Sequence, residues 1–557
     1  MQGRQSLKLG VLIRYFQWLG YDRSIYAGSF SFTGAETQNP ASSAGTGDAF
    51  ADFLLGYPAS VARAYPGANF GGQQWYKQFF GQDDIRVNEK LTVNIGLRYE
   101  YTPWLEGYLG QLGTFNPALV QPIIVAGHTN AVNLTSQYAA PAAYQFFGQY
   151  IQTTSAIGLP YNLTYTDLLQ LGPRVGFAWR PFGNRTVIRG GFGMYYEPER
   201  SGGRVNRNIL PFLLSETVNQ TANVVPNRTL GNFFLGSLLG SALPNPTINP
   251  TLTHLKMGQY NHFSLAVQEE ITPKTLFEVA WVGNNTLHLQ ATDDFNDPTP
   301  GAGAVQGRRP YQPWGTISME SQDMGATYES LQTKLEHRTG NGLTGLVSYT
   351  WSKMEQEAQT PAVGGNLGYE HTYSPYNVPQ NLAISGTYEI PVGHGRAFLN
   401  KSNGFVDAML GGWQTQTIIV LRSGVPYTPG VGSDVANTGV GSQRPNLNPA
   451  GGSPTFQKSL TKWFDPTGYV AAPQYTYGTV KANTLESDLH RQYDASFFKN
   501  FHLPGESVLS FRAEAFNISN TTSFSAPGAT ITSSSCCAVT STSVPSRDIQ
   551  FALKYDF

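Results

Sequence analysis

Arg547 to Phe557 reads RDIQFALKYDF. Ile549, Phe551, Leu553, Tyr555 and Phe557 are apolar or aromatic, while Gln550, Ala552, Lys554 and Asp556 between them are small or polar. That period of two describes a β-strand with one greasy face and one wet face. The strand runs to the last residue, so an aromatic side chain sits beside the terminal carboxylate. An edge strand of a soluble sheet and a strand with one face in lipid both fit this pattern. The rest of the chain separates them.

At 557 residues the chain exceeds one ordinary globular domain, yet no linker or composition shift divides it. Charged residues make up 13 %, aromatics another 13 %, and there are 60 glycines. Low charge with many Tyr, Phe and Gly suits strands joined by open loops. A net charge of −1 leaves no basic excess for phosphates, so nucleic acid is not an expected partner. No window approaches about 18 consecutive apolar residues, so no transmembrane helix is expected; barrel strands give only weak alternating signals and escape that test. Cys536 and Cys537 are adjacent, pair only in a strained ring and are too few for a structural zinc site. They read as incidental loop residues. The N-terminal MQGRQSLKLG lacks the apolar core of a signal peptide.

Hairpin signals recur along the chain. Leu7 to Trp18 and Ser24 to Thr33 read as arms around Gly20-Tyr21-Asp22-Arg23. The clearest hairpin is Trp75 to Val87, turn Asn88-Glu89-Lys90, then Leu91 to Tyr101, with every apolar residue of the second arm on one face. Similar pairs follow around Phe182-Gly183-Asn184, Thr272-Pro273-Lys274, Thr339-Gly340-Asn341-Gly342 and Pro504-Gly505-Glu506-Ser507. Turns of about three to five residues, with one longer exception from Pro391 to Gly411, alternate with loops of about 25 to 70. Long loops are uncommon inside compact soluble domains, whereas outer-membrane barrels alternate short periplasmic turns with long extracellular loops. Thr102 to Leu171 and Ser423 to Arg491 are then expected outside the cell.

The polar faces agree with that reading. Ser510, Arg512 and Glu514 share one side of the penultimate strand; Leu509, Phe511, Ala513 and Ala515 share the other. Arg98 with Glu100, and Lys334, Glu336 with Arg338, occupy corresponding faces. A charge on the lipid face costs about 2–4 kcal/mol near the midplane, so these side chains are expected to point into the lumen. Lys499, between Phe497 and Phe501, breaks the rule and is expected near the headgroups or at a bulge. Trp18, Trp351, Trp413, Tyr99 and Tyr101 fall near strand ends, as aromatic girdles do.

Several segments resemble the barrel of TonB-dependent outer-membrane receptors, in particular the Oar-like subgroup. Phe80-Gly81-Gln82-Asp83-Asp84-Ile85-Arg86-Val87 followed by Leu91-Thr92-Val93-Asn94-Ile95-Gly96-Leu97-Arg98-Tyr99-Glu100 is similar to a hairpin of that family, with Ile85 where the family usually has Trp. Ala51-Asp52-Phe53-Leu54-Leu55-Gly56, Pro173-Arg174-Val175-Gly176-Phe177-Ala178-Trp179, Gly412-Trp413-Gln414 and Ser423-Gly424-Val425-Pro426 add to the likeness. The resemblance implies an all-β protein: a large antiparallel transmembrane barrel that takes up a ligand actively. It implies a plug domain pulled by an energy complex through TonB, and a barrel-assembly machinery that reads Phe551, Leu553, Tyr555 and Phe557. No plug domain or TonB box is found here. About 15 strands are read, against about 22 in plugged transporters. Residues 1–557 are therefore expected to be the C-terminal part of a barrel, without plug, signal peptide and first strands, its first and last strands both running toward the periplasm. A passive porin or structural barrel is one alternative. A secreted β-rich carbohydrate-binding protein is another.

The nine histidines show no HExxH and no clustered ligand spacing, and no G-x-S-x-G elbow is present, so no enzyme, cofactor or metal is expected. Asp293, Asp294, Asn296 and Asp297 are of the type that collects calcium, but read rather as a solvated acidic loop. Tyr138, Tyr144, Phe146, Phe147 and Tyr150 form an aromatic loop that either packs on itself or stacks on a sugar or peptide. Tyr138, Tyr144, Phe147 and Tyr150 are the candidate ligand contacts.

Overall fold

The computed structural model describes residues 4–557 apart from 23–27, 40, 42–45, 66–67, 108–111, 130–146, 198–211, 213, 221–227, 234–244, 251, 255, 339–341, 364–365 and 452–455. Segments of period two pair with the next such segment along the chain, which yields one long antiparallel path. It begins with β1 (Gln5–Asp22), β2 (Ala68–Arg86), β3 (Leu91–Tyr101), β4 (Leu171–Trp179) and β5 (Thr186–Tyr196). It continues through β6 (Gln259–Thr272), β7 (Thr275–Asp294), β8 (Ser318–Arg338), β9 (Leu343–Val363) and β10 (Gln380–Glu389). It ends with β11 (Gln414–Arg422), β12 (His490–His502), β13 (Val508–Phe516) and β14 (Asp548–Asp556). Two short strands, Glu106–Gly107 and Asn366–Tyr373, hang off this path and complete a sheet of 16.

Register carries one chemistry along each face. Ile95 lies opposite Val175, Val175 opposite Phe192, and Phe192 opposite Phe263. Trp281, Leu331 and Trp351 form another such row, and Phe511 lies opposite Leu553. All these side chains but Phe263 and Phe511 are well exposed. The reverse face carries Arg98, Glu100, Lys334, Glu336, Ser510, Arg512 and Glu514, as the alternation requires.

The first hairpin is a correction. Leu7 to Trp18 does not fold back on Ser24 to Thr33. β1 pairs along its whole length with β2, Gln5 opposite Ile85 and Asp22 opposite Ala68. Ser29–Ser31 instead joins Ser60–Tyr65 and Leu214–Asn219 in a separate three-stranded sheet. A turn signal such as Gly20-Tyr21-Asp22-Arg23 is local, whereas a ladder this long outweighs it from more than forty residues away along the chain. With that arm removed, β1 and β14 run in opposite directions, not the same one. Among the described residues no ladder joins β1 to β14.

β7, β8 and β9 have 20, 21 and 21 residues. At about 3.3 Å per residue they reach about 66 Å, more than twice the thickness of a bilayer core. The outward face of β9 changes partway: Leu343, Val347, Tyr349 and Trp351 give way to Lys353 and Glu355.

Two helices matter here. α1 (Ala49–Leu55) is capped by Asp48, whose carboxylate accepts from the amides of Phe50 and Ala51 at 2.9 Å, and it ends on Gly56 in the left-handed region. α2 (Gly404–Leu410) lies in the long turn between β10 and β11.

Candidate functional site

The face opposite the apolar one is polar and self-paired. Arg98 Nε donates to Glu100 at 2.8 Å, and Gln78 bridges the two side chains. Lys8 meets Asp84 at 2.8 Å, and Asn94 donates to the same carboxylate at 2.6 Å. Glu336 lies between Lys334 at 3.1 Å and Arg338. Three of these four ion pairs stand two residues apart on one strand, so period two itself brings opposite charges together.

From β3 to β5 this face is thinned by glycine: Gly96 and Gly193 flank Arg174 in one cross-strand row, and Gly176 lies between Asn94 and Gly191 in the next, with His262 opposite Gly193 on β6. The glycines floor a hollow of about 390 Å³ rimmed by Gln82, Arg174, Tyr195 and His262. The Arg174 guanidinium lies 4.4 Å from the Tyr195 ring centre, and Tyr195 meets His262 edge-on at 5.4 Å. A Cβ at Gly193 would stand 2.9 Å from the Tyr195 ring, so glycine is what lets that ring lie over the floor. A guanidinium, a phenol and an imidazole over bare backbone suit a flat polar or anionic group. Sequence reading missed this hollow. Its signal lay in Gly191-Phe192-Gly193, where both glycines fall on the polar parity.

Above one end of the sheet the long loops pack on one another. Phe115, Ile123, Phe147, Phe212, Ile248, Trp314 and Ile317 form one buried cluster drawn from three loops. Trp104, Leu105, Leu112, Ile124 and Leu163 form a second, with Trp18 packed against it. Trp463, Phe464, Tyr469, Val480, Leu485 and Cys537 form a third. Asn437 Nδ2 donates to the carbonyls of Gly301 and Gly303, both at 2.8 Å, tying the loop after β7 to the loop after β11.

Phe147 is buried in the first cluster, and Tyr150 packs edge-on against Trp314 at 5.3 Å. Tyr138 and Tyr144 lie outside the described residues. The acidic loop is not solvated, a second correction. Asn296 and Asp297 are buried, and Asp294 accepts from Arg309 Nη1 at 2.7 Å and from the Ile317 amide at 2.7 Å. Arg309 stands where a cation would. Cys536 and Cys537 are bonded to each other, and Cys537 is buried in the third cluster, so they are not incidental. Phe551, Leu553, Tyr555 and Phe557 are all exposed.

A family model described as an outer membrane beta barrel domain matches residues 1–550. No curated protein matches the chain. Among solved structures, the outer membrane transporter YddB from Escherichia coli is similar over 100 % of this chain and 52 % of its own, at 11 % identity and a TM-score of 0.50. The ferripyoverdine receptor of the outer membrane of Pseudomonas aeruginosa covers 99 % and 46 %, at 9 % identity and a TM-score of 0.45. The siderophore receptor PiuA from Acinetobacter baumannii covers 99 % and 53 %, at 10 % identity and a TM-score of 0.45. The chain spans about half the length of these structures. What it shares with YddB is the fold.

Proposed function

The chain belongs to the outer membrane beta barrel domain family, and from that premise we propose that it forms the wall and loop canopy of a TonB-dependent receptor that takes up a ligand actively. Its place is the bacterial outer membrane, with the long loops outside the cell and the short turns in the periplasm. The secreted reading is set aside with it. The observation that carries the proposal is the polar inner face with its glycine-floored hollow. Paired charges make that face wettable without a strong field of one sign, and the hollow accepts a polar group of a plug or of a ligand in transit.

Membership in the Oar-like subgroup belongs to this proposal and is supported by the Phe80 to Glu100 hairpin. The proposal also holds that a plug and further strands complete the barrel. The edges of β1 and β14, unpaired among the described residues, support this, because each unpaired backbone group in hydrocarbon costs several kcal/mol. Tyr138 and Tyr144 belong to the ligand-collecting surface, which Phe147, buried, and Tyr150 anchor on Trp314. The barrel-assembly machinery reads Phe551, Leu553, Tyr555 and Phe557, and the TonB complex acts through the plug.

Two measurements test this. The full-length gene product should be captured by the purified periplasmic domain of TonB. Vesicles carrying it should not swell in an arabinose gradient. Failure of capture together with rapid swelling would replace the active receptor with a passive porin.

A further inference from the structure

The turn from Ile390 to Trp413 departs from every other turn at the periplasmic end. It is longer, and it carries α2. Lys499 on β12 shares the lipid-facing side of the wall with Phe497 and Phe501, and lies opposite Phe511 on β13. Yet it is only 4 % exposed. Its ammonium donates to the backbone carbonyls of Asp407, Ala408 and Gly411 and stands 4.9 Å from the Phe501 ring centre. Those carbonyls close the C-terminus of α2, where intrahelical partners run out and the helix dipole is negative. A lysine that leaves the wall on its lipid side can reach them only if the helix lies on that side. Trp413 makes the second fastening: its Nε1 donates to the Met409 carbonyl at 3.0 Å, and its ring meets Phe511 edge-on at 6.0 Å.

The helix thus rests against the foot of the lipid-facing wall. Phe405 and Met409, four apart and therefore on one face, are 77 % and 56 % exposed, as is Leu410 at 52 %. His394, Arg396 and Lys401 are exposed in the same turn, Arg396 paired with Glu389 at 3.1 Å. We propose that the Ile390 to Trp413 turn is an interfacial foot, seated in the periplasmic leaflet of the outer membrane, whose partner is the glycerophospholipid there. Continuity makes the case. Phe497, Phe501 and Phe511 already face lipid, and α2 extends that surface to where headgroups begin. At that depth apolar side chains insert about 5–10 Å and basic ones meet phosphate. Lys499 is then a fastener, holding the foot to the wall, and not a charge stranded in lipid.

This inference rests on the wall facing lipid, so its test reads the two separately. The full chain, with Cys536 and Cys537 replaced by serine, carries a bimane label at Phe405→Cys or, as the wall control, at Leu553→Cys. Both are placed in vesicles of phosphatidylethanolamine and phosphatidylglycerol. Brominated phospholipid should quench both labels, and aqueous iodide neither. Iodide quenching at residue 405 with lipid quenching at residue 553 would overturn the foot while leaving the barrel. Failure of lipid quenching at residue 553 would overturn the barrel reading and the foot with it. Lys499→Met should red-shift the label at 405 and open it to iodide, and Lys499→Arg should restore it. An unchanged label in Lys499→Met would overturn the fastening role.

Discussion

Wall and canopy are built on opposite plans. Along the wall, large apolar side chains such as Leu9, Ile95, Trp351, Phe551 and Leu553 are exposed, and the long strands supply none of the fully buried cluster residues. All three buried clusters among the described residues lie in the loops. The wall puts its greasy face outward because its solvent is hydrocarbon, and its ladders satisfy the backbone that lipid cannot. The canopy stands in water and puts its greasy residues inward, driven by the same area burial as any soluble domain. A single chain therefore obeys two hydrophobic rules, and on β8 and β9 the change falls just beyond the row of Trp281, Leu331 and Trp351, where Glu329 faces Lys353.

The sharpest way to break this comparison is Trp314→Ala. Trp314 is 2 % exposed and packs on Phe115, Phe147 and Tyr150. Its loss should cost the canopy about 3–5 kcal/mol, read as faster proteolysis of the loops, while the wall keeps its heat-modifiable mobility on gels. Simultaneous loss of both would mean that the two regions fold as one. Next comes Phe511→Arg, which places a charge in lipid at a cost of about 2–4 kcal/mol and should block membrane assembly. Ser510→Arg, one residue away on the polar face, should assemble normally; equal behaviour would erase the distinction of faces.

A smaller effect separates the regions by pH. Burial pushes the Asp294 carboxyl up, but the bonds from Asp297, Arg309 and the amides of Asn296 and Ile317 outweigh it and hold it low. A carboxyl depressed on folding adds stability above its unfolded pKa of about 3.9, lost as pH falls through the lower folded value. The canopy should therefore open to an acid-active protease below about pH 4, and to a greater extent than the wall. Asp294→Asn should weaken the loop already at pH 7, by about 1–3 kcal/mol, and flatten that acid response. The smallest effect belongs to Lys554 and Asp556, 2.8 Å apart but both well exposed. Lys554→Ala should shift unfolding by about 0–1 kcal/mol, measured by urea-induced release from vesicles.

The wall was legible because lipid enforces a strict alternation. Leu91 to Tyr101 was delimited to the residue. Tyr328 to Arg338 and Leu343 to Trp351 cover only part of their strands, since β8 is nearly twice and β9 more than twice as long. Beyond Trp351 and Leu331 the outward residues are Lys353, Glu355 and Glu329, so the apolar beat that defines a strand falls silent although the ladder continues. The β1–β2 ladder was missed because pairing across more than forty residues leaves no mark on either strand. The canopy was read as open loops, its clusters being assembled from residues far apart in sequence. Lys499 was flagged as an anomaly, but its partner carbonyls are backbone and carry no signature in the residue names.

The length of β9 fixes a waterline. From Leu343 to Trp351 its outward face is apolar, and at about 3.3 Å per residue and a tilt of about 35–45° that stretch stands about 21 to 24 Å tall, close to the apolar band of a barrel. The strand then runs on to Val363 in water, raising the canopy about 28 to 32 Å further by the same geometry. With its loops outward, as proposed, the molecule projects from the lipid by about the thickness of another bilayer core. In the receptor proposed above, a ligand would meet the canopy well above the lipid and would then pass a polar face taller than the membrane is deep.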